Sequence, residues 1–262
     1  MRRALRMEWT KIRTIRSTSW SVLALVAATI AVSGFAAART DPTDCAPRPC
    51  TLDTVRIALG GVYIGQIAVV TLAAIAITAE YDTRTIGLTL QAEPRRWRVV
   101  AAKAAVVLVI VLVASALAVA GCVVAGRVIL PHSGFTAATG YPSLFAWGDA
   151  ATRRALLGTV AYLGLIALLS LGIAAILRGT AASITTVLSL LYVVPIASRF
   201  VTDPEWQSRL AWAAPMTAGL VVQSTQPLDE VTIGPWAGLG IVAAYAGVAL
   251  IVGAVLFRTR DA

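Results

Sequence analysis

The chain has 262 residues, of which 58% are hydrophobic and 13% charged, and its mean hydropathy is +0.80. Soluble domains carry roughly 45–50% apolar and about 25% charged residues, so this composition excludes an ordinary water-soluble protein. The net charge of +9 lies in the segments that flank apolar runs. We therefore expect the basic residues to meet anionic lipid headgroups and a cytosolic partner, and not nucleic acid.

Six apolar runs of 18 to 23 residues occupy most of the chain, and none contains an acidic residue. Each matches the ~20 helical residues needed to cross a hydrocarbon core of about 30 Å. We therefore predict an all-α, polytopic membrane protein with one transmembrane domain over residues 1–262. The predicted spans are 20–38, 57–79, 104–126, 155–177, 180–197 and 236–257.

The charges between these runs indicate the orientation of the chain. With the N-terminus inside, the inside segments hold 14 Lys/Arg and 5 Asp/Glu, whereas the outside segments hold 8 of each. Positive charge accumulates on the cytoplasmic side of membrane proteins. We predict a multi-pass protein of the cell membrane with both termini in the cytoplasm.

Residues 1–19 interleave basic residues with Leu5, Trp9, Ile12 and Ile15 at helical spacing. This pattern predicts an amphipathic helix in the inner interface, the alternative being a basic flank that only sets orientation. The 19-residue apolar run that follows is longer than the roughly 7–15 residues of a signal peptide, so we expect it to remain uncleaved.

The first outside loop contains Cys45 and Cys50. An oxidising exterior permits a disulfide between them, and two unpaired thiols are the alternative.

In the second span, Gly61 and Gly65 allow close helix approach, and Gln66, Thr71 and Thr78 are polar. The fifth span carries Ser189 and Tyr192 among several hydroxyl residues. Polar groups inside spans face a partner helix or a pathway. We predict that these two spans form the dimer-facing wall and that the five polar residues line a pathway for an amphiphilic or hydrophobic cargo.

The inside segment 80–103 is too long and too apolar for a simple connector. Pro94 divides a mixed-charge amphipathic part, 80–93, from a basic part, 95–103. An amphipathic helix can dock in a groove on a partner protein. We predict docking for the first part and membrane anchoring for the second.

The outside loop 198–235 contains thirteen uncharged residues, 210–222, around Pro215. This stretch is too short to span the membrane and too apolar for water, so we predict re-entrant helices in the outer leaflet. A surface loop packed on its own spans is the alternative. As closing elements of the outward end we name Trp212, Pro215, Met216 and Gly219.

Intramembrane catalysis is disfavoured by the residue content. No ionisable residue lies near the middle of a span, and the single histidine, His132, falls in an outside loop. A proton relay, a metal cluster or a serine–histidine–acid set has no residues from which to form, so we predict no enzyme activity and no cofactor. An ATP-independent channel or a structural membrane protein remains the alternative to a driven transporter.

The order of these features resembles the permease of ABC type-2 exporters, in the form common in high-GC Gram-positive bacteria. The stretches that carry the resemblance are 8–18 at the start, Gly65-Gln66, 80–86 with 94–103, and 215–219 before the last span. The resemblance implies two permease copies, or two related permeases, on two ATP-binding subunits. It also implies a coupling role for Glu80, Tyr81, Arg84, Thr85, Ile86 and Leu90.

The phosphate-binding loop of an ATPase is missing from the sequence. That motif requires Gly-x-x-x-x-Gly-Lys-[Ser/Thr], and neither Lys11 nor Lys103 stands in such a context. We therefore expect a separate subunit to hydrolyse ATP.

Overall fold

The computed structural model describes residues 10, 16–42, 52–83, 96–141, 145, 148–198, 200–226 and 233–259. Within them every regular element is helical, and six helices are long and apolar enough to cross a membrane. This confirms the predicted all-α, six-span architecture. In chain order the helices are α1 (Arg16–Arg39), α2 (Thr54–Ala58), α3 (Val62–Asp82), α4 (Arg96–His132), α5 (Ala150–Leu177), α6 (Thr180–Ser198), α7 (Pro204–Ala213), α8 (Pro215–Leu220) and α9 (Pro235–Thr259).

The second and third predicted spans differ from the structure at their ends. Helix α3 begins at Val62 and not at residue 57, because the chain first forms α2 and then turns at Leu59–Gly61. Two adjacent glycines within that turn lower the helix propensity there. Helix α4 extends the predicted span 104–126 at both ends, to 37 residues.

Gly61 and Gly65 pack against α1 of the same chain. A Cβ at Gly61 would clash with the carbonyl oxygen of Thr29, and one at Gly65 with the Thr29 side chain. The Gly61 N–H also donates to Ser33 Oγ at 2.9 Å. Their predicted place on a dimer-facing wall is therefore wrong, since glycine spacing permits close approach without specifying which helix approaches.

Helix α5 lies at the centre of the bundle and packs against α3, α4, α6 and α9. A Cβ on Gly172 would come within 2.6–2.8 Å of backbone and Cβ atoms of Ala249 and Leu250, so α5 and α9 cross almost backbone to backbone. At its start, Asp149 accepts hydrogen bonds from the Thr152 hydroxyl and from the N–H groups of Thr152 and Ala151. These bonds, the hydroxyl one foremost, lower the pKa of the Asp149 carboxyl.

The spans alternate in direction, so their connections collect at two opposite ends. At one end, called the Asp53 end, the Leu52 N–H donates to the Tyr141 hydroxyl and Asp53 contacts Thr225. At the other, called the Glu80 end, the end of α3 contacts the nearby ends of α4, α6 and α9. Aromatic residues mark both ends with exposed side chains, as in membrane-interface belts: Trp20 and Trp97 near the Glu80 end and Trp206, Trp212 and Trp236 near the Asp53 end.

Helix α6 is the span least covered by the rest of the chain. Ser183, Val187 and Leu191 form one buried stripe, whereas Ser189 and Ile196 are exposed. The helix widens into a π-helical turn at Ser189–Val193. Pro195 lies two residues after this turn; its ring lacks an N–H and crowds the carbonyl four residues earlier, that of Leu191, which lies within the widened turn.

Candidate functional site

Gln66 is a fully buried amide on α3, in the half of the bundle nearer the Asp53 end. Burying such an amide costs several kcal/mol unless its oxygen and nitrogen are hydrogen-bonded. Gly65, the residue before it, and Gly61, one turn further back, hold α3 close to α1 on the neighbouring face. The amide is therefore shielded from the surroundings, and besides the Tyr63 carbonyl of its own helix, 3.4 Å from Nε2, its partners come from other helices.

The partners of Gln66 come from three different helices. The Tyr162 hydroxyl on α5 donates to Gln66 Oε1 at 2.7 Å, and Gln66 Nε2 donates to the Tyr192 hydroxyl on α6 at 2.9 Å and to Met216 Sδ on α8 at 3.1 Å. The Tyr192 hydroxyl in turn donates to the carbonyl of Tyr63. We call these five residues the Gln66 cluster. Each polar side-chain atom of Gln66 has a partner, as buried polar groups require.

The cluster brings together residues from two groups that the sequence predicted separately, the pathway residues and the residues that close the outward end. Gln66 and Tyr192 were predicted from the sequence as pathway residues and Met216 as part of the outer closure. The structure places Tyr192 and Met216 each within hydrogen-bonding distance of the Gln66 amide nitrogen. Tyr162 was not predicted, because a single tyrosine in a long apolar run is also what ordinary helix packing would show.

Helix α8 is buried among the spans. Pro215 begins it at the position where a missing N–H costs nothing, and Met216, Ala218 and Gly219 are buried. A Cβ on Gly219 would lie 2.5 Å from two ring carbons of Tyr162, and one on Gly238 of α9 would clash with the carbonyl of Ala218. Gly219 on α8 thus allows close contact with Tyr162 of α5, and Gly238 on α9 allows close contact with the backbone of α8.

The predicted closing residues do not all share this position. Pro215, Met216 and Gly219 lie on α8 inside the bundle, whereas Trp212 on α7 is 42% exposed and does not reach the cluster. The burial of α8 removes apolar side chains from water, worth roughly 1.5–3 kcal/mol for each large one.

The other predicted pathway residues lie apart from the Gln66 cluster. Thr71 is half-buried and bonds to the carbonyl of Ile67 in its own helix. Thr78 is buried at the Glu80 end, with its hydroxyl 2.6 Å from that of Thr180. Ser189 is exposed on the open side of α6.

An acid and a base fix the chain segment that follows α8. Asp53, which caps α2 through the Arg56 N–H, also accepts hydrogen bonds from the N–H and hydroxyl of Thr225. The Arg154 guanidinium donates to the carbonyl of Ser224 at 2.7 Å. Hydrogen bonds to charged groups are stronger than neutral ones, so this end of the α8 segment is firmly held.

A buried ion pair joins the C-terminal end of α3 to the N-terminal part of α4. Lys103 Nζ lies 2.5 Å from Glu80 Oε1, and each side chain is only 4% exposed. The inside segment 80–103, which includes the predicted docking part, lies between these two residues. The pair therefore brings the two ends of the inside segment together. Glu80, predicted to face a partner, has its carboxylate directed to Lys103 in this chain.

The neighbours of Glu80 reach two further spans. Arg178, in a left-handed conformation at the end of α5, places its guanidinium 5.2 Å from the ring centre of Tyr81. That ring meets Phe257 of α9 edge to face at 6.5 Å. The Thr180 hydroxyl, at the start of α6, lies 2.7 Å from Asp82 Oδ2. The last turn of α3 therefore touches α4, α6 and α9 together.

Several predicted residues fall outside the described part of the chain. These are the coupling candidates Arg84, Thr85, Ile86 and Leu90, the disulfide candidates Cys45 and Cys50, and most of the segment 1–19. They stay predictions from the sequence.

Comparison with known proteins identifies one family. The sequence model described as ABC-2 family transporter protein matches residues 4–196, well over half of the chain. No curated protein matches the sequence closely enough to count as a relative.

Proposed function

The chain belongs to the ABC-2 transporter family and is a multi-pass permease subunit of an ABC transporter, and from this premise we propose that it works as an ATP-driven exporter in the cell membrane. The observation that carries the proposal is the family match over residues 4–196, together with the six helices that can cross a membrane. The cargo is amphiphilic or hydrophobic, and a separate ATP-binding subunit supplies the energy.

The docking site for that subunit is the segment 80–93 at the Glu80 end. The buried Glu80–Lys103 pair supports this, because it fixes the start of the segment against α4, the helix that follows the segment in the chain. Glu80 then acts by positioning the segment, and the side chains that touch the subunit come from Arg84, Ile86 and Leu90. Through Tyr81 and Asp82, a movement of the segment reaches α6 and α9 directly.

Purification in mild detergent tests the proposal. We expect an ATP-binding protein to co-elute with the permease, and the double substitution Ile86→Ala, Leu90→Ala to reduce its recovery at least several-fold while permease yield is unchanged. Thr259→Ala, an exposed substitution elsewhere at the same end, is the control. If no ATP-binding protein co-elutes in any mild detergent, the exporter proposal fails, and the result favours an ATP-independent channel or a structural membrane protein.

The exposed side of α6 supports a pairing with a second permease copy. Thr185, Thr186 and Ser189 are exposed there beside Val193 and Ile196. Hydroxyl groups on a membrane span are better placed against another helix or a pathway than against lipid. A wall that mixes hydroxyl and branched apolar groups suits a cargo with both polar and apolar parts.

Orientation is a separate prediction. The Asp53 end faces outside and both termini are cytoplasmic, as the distribution of basic residues favours. A cysteine introduced at Ala138, exposed at the Asp53 end, is expected to react with a membrane-impermeant thiol reagent added to intact cells, and one at Thr259 only after the cells are opened. The reverse pattern would contradict the orientation and leave the fold untouched.

A further inference from the structure

We infer that Gln66 is a positioning residue that ties α6 and α8 to α3, so that the two helices separate from α3 together and not one at a time. The inference rests on the proposed function only in assigning α8 to the closure of the outward end of the pathway. Its physical basis is a single amide that serves two helices at once.

The geometry provides the first step. Gln66 Nε2 carries two N–H groups, and the two partners on other helices are the Tyr192 hydroxyl on α6 at 2.9 Å and Met216 Sδ on α8 at 3.1 Å. The amide oxygen is taken by Tyr162 of the central helix α5. The amide is therefore oriented from α5, and the two shorter contacts of its nitrogen go to the two outer helices, whereas the Tyr63 carbonyl of its own helix lies further away, at 3.4 Å.

The energetics provide the second step. If α8 alone moved away, one N–H of a fully buried amide would lose its Met216 acceptor and keep only the longer 3.4 Å contact to the Tyr63 carbonyl, at a cost of up to roughly 1–3 kcal/mol. The same holds if α6 alone moved. When both leave, the side of Gln66 that they cover opens and the amide exchanges both partners for water or cargo. The network thus penalises partial opening more than complete opening.

The two helices also have weak points next to Gln66. Tyr192 lies within the π-helical turn of α6, and Pro195 follows it. Helix α8 begins at Pro215, one residue from Met216, after a single extended residue, Ala214. The far end of the α8 segment is held by Asp53 and Arg154. A movement of α8 therefore occurs at its Met216 end, where Gln66 holds it.

Thiol labelling of the purified permease tests this inference. The reporter is Thr217→Cys, beside Met216, in a background carrying Cys45→Ser, Cys50→Ser and Cys122→Ala, and the readout is the labelling rate with a water-soluble maleimide. We expect Gln66→Leu to raise the rate about five- to tenfold and Met216→Leu to raise it about threefold or more, the order expected from one lost hydrogen bond. The double variant should label no faster than Gln66→Leu alone, because both changes remove the same contact.

Thr71→Val is the matched control, since its hydroxyl bonds only to Ile67 of its own helix. An unchanged rate in Gln66→Leu, or fully additive effects in the double variant, would overturn the inference. If Gln66→Leu does not accumulate in the membrane, Tyr192→Phe decides in its place, with a rise of about threefold or more expected and an unchanged rate counting against the inference. The assay uses neither ATP nor a partner, so its failure is distinguishable from failure of the exporter proposal.

Discussion

Replacing Glu80 by Ala is expected to destabilise the permease by roughly 3–5 kcal/mol, because Lys103 would keep a buried charge without its partner. Loss of the pair also frees the base of the docking segment, so the stimulation of ATP hydrolysis by cargo should fall further than the amount of folded protein. The measurements are thermal unfolding in detergent and ATPase activity of the complex per folded permease.

Two companion variants separate stability from coupling. Replacing both residues, Glu80→Met with Lys103→Met, removes the buried charges together and should restore stability to within about 1–2 kcal/mol of the original chain. Glu205→Ala breaks the exposed pair with Arg209, whose side chains are 73% and 61% exposed, and should cost less than about 1 kcal/mol. Equal effects of Glu80→Ala and Glu205→Ala would refute the role assigned to the buried pair.

Replacing Gly219 by Ala is expected to move α8 away from the bundle. The added methyl group would lie 2.5 Å from the Tyr162 ring and 2.8 Å from Val242, and both side chains are fully buried and unable to yield. Overpacking of this kind costs roughly 1–3 kcal/mol. Since Tyr162 orients Gln66, we expect faster labelling at residue 217 and loss of most transport, with membrane insertion unaffected.

Gly240→Ala and Gly247→Ala are controls for this substitution. Both glycines lie on α9, and an added Cβ at either would have no neighbouring atom within 4 Å. Each should be neutral or stabilise the helix by up to about 1 kcal/mol. A Gly219→Ala protein that unfolds, labels and transports like these two would show that the contact with Tyr162 is unimportant.

The number and type of spans were predictable, because length and apolarity alone decide whether a helix can cross a bilayer. Their contacts were not. Gly61 and Gly65 were correctly identified as a site of close approach, but the neighbour is α1 through Thr29 and Ser33 and not a second copy. Helical periodicity places residues on a face and carries no information about which helix covers it.

The polar residues also show that the sequence can identify a notable residue without identifying its partner. Gln66 stands out in the sequence because an amide in a span is costly, whereas Tyr162 does not, because tyrosine is common in apolar helices. Lys103 is one of only two lysines, and Glu80 begins the inside segment. Their pairing could be predicted only with the knowledge that the end of α3 lies beside the start of α4. A charged residue at each end of an inside segment is a signal that could have suggested the pair.

The length of α4 has a consequence for the lipid around the protein. The uncharged stretch between Lys103 and Arg127 is 23 residues and therefore about 35 Å long, against a hydrocarbon thickness of about 30 Å. Such a helix fits either by tilting, by roughly 30°, or by drawing the bilayer thicker around itself. Membrane thickness thereby becomes a variable that acts on the inclination of α4, and activity should depend on the acyl-chain length of the lipids in which the permease is reconstituted.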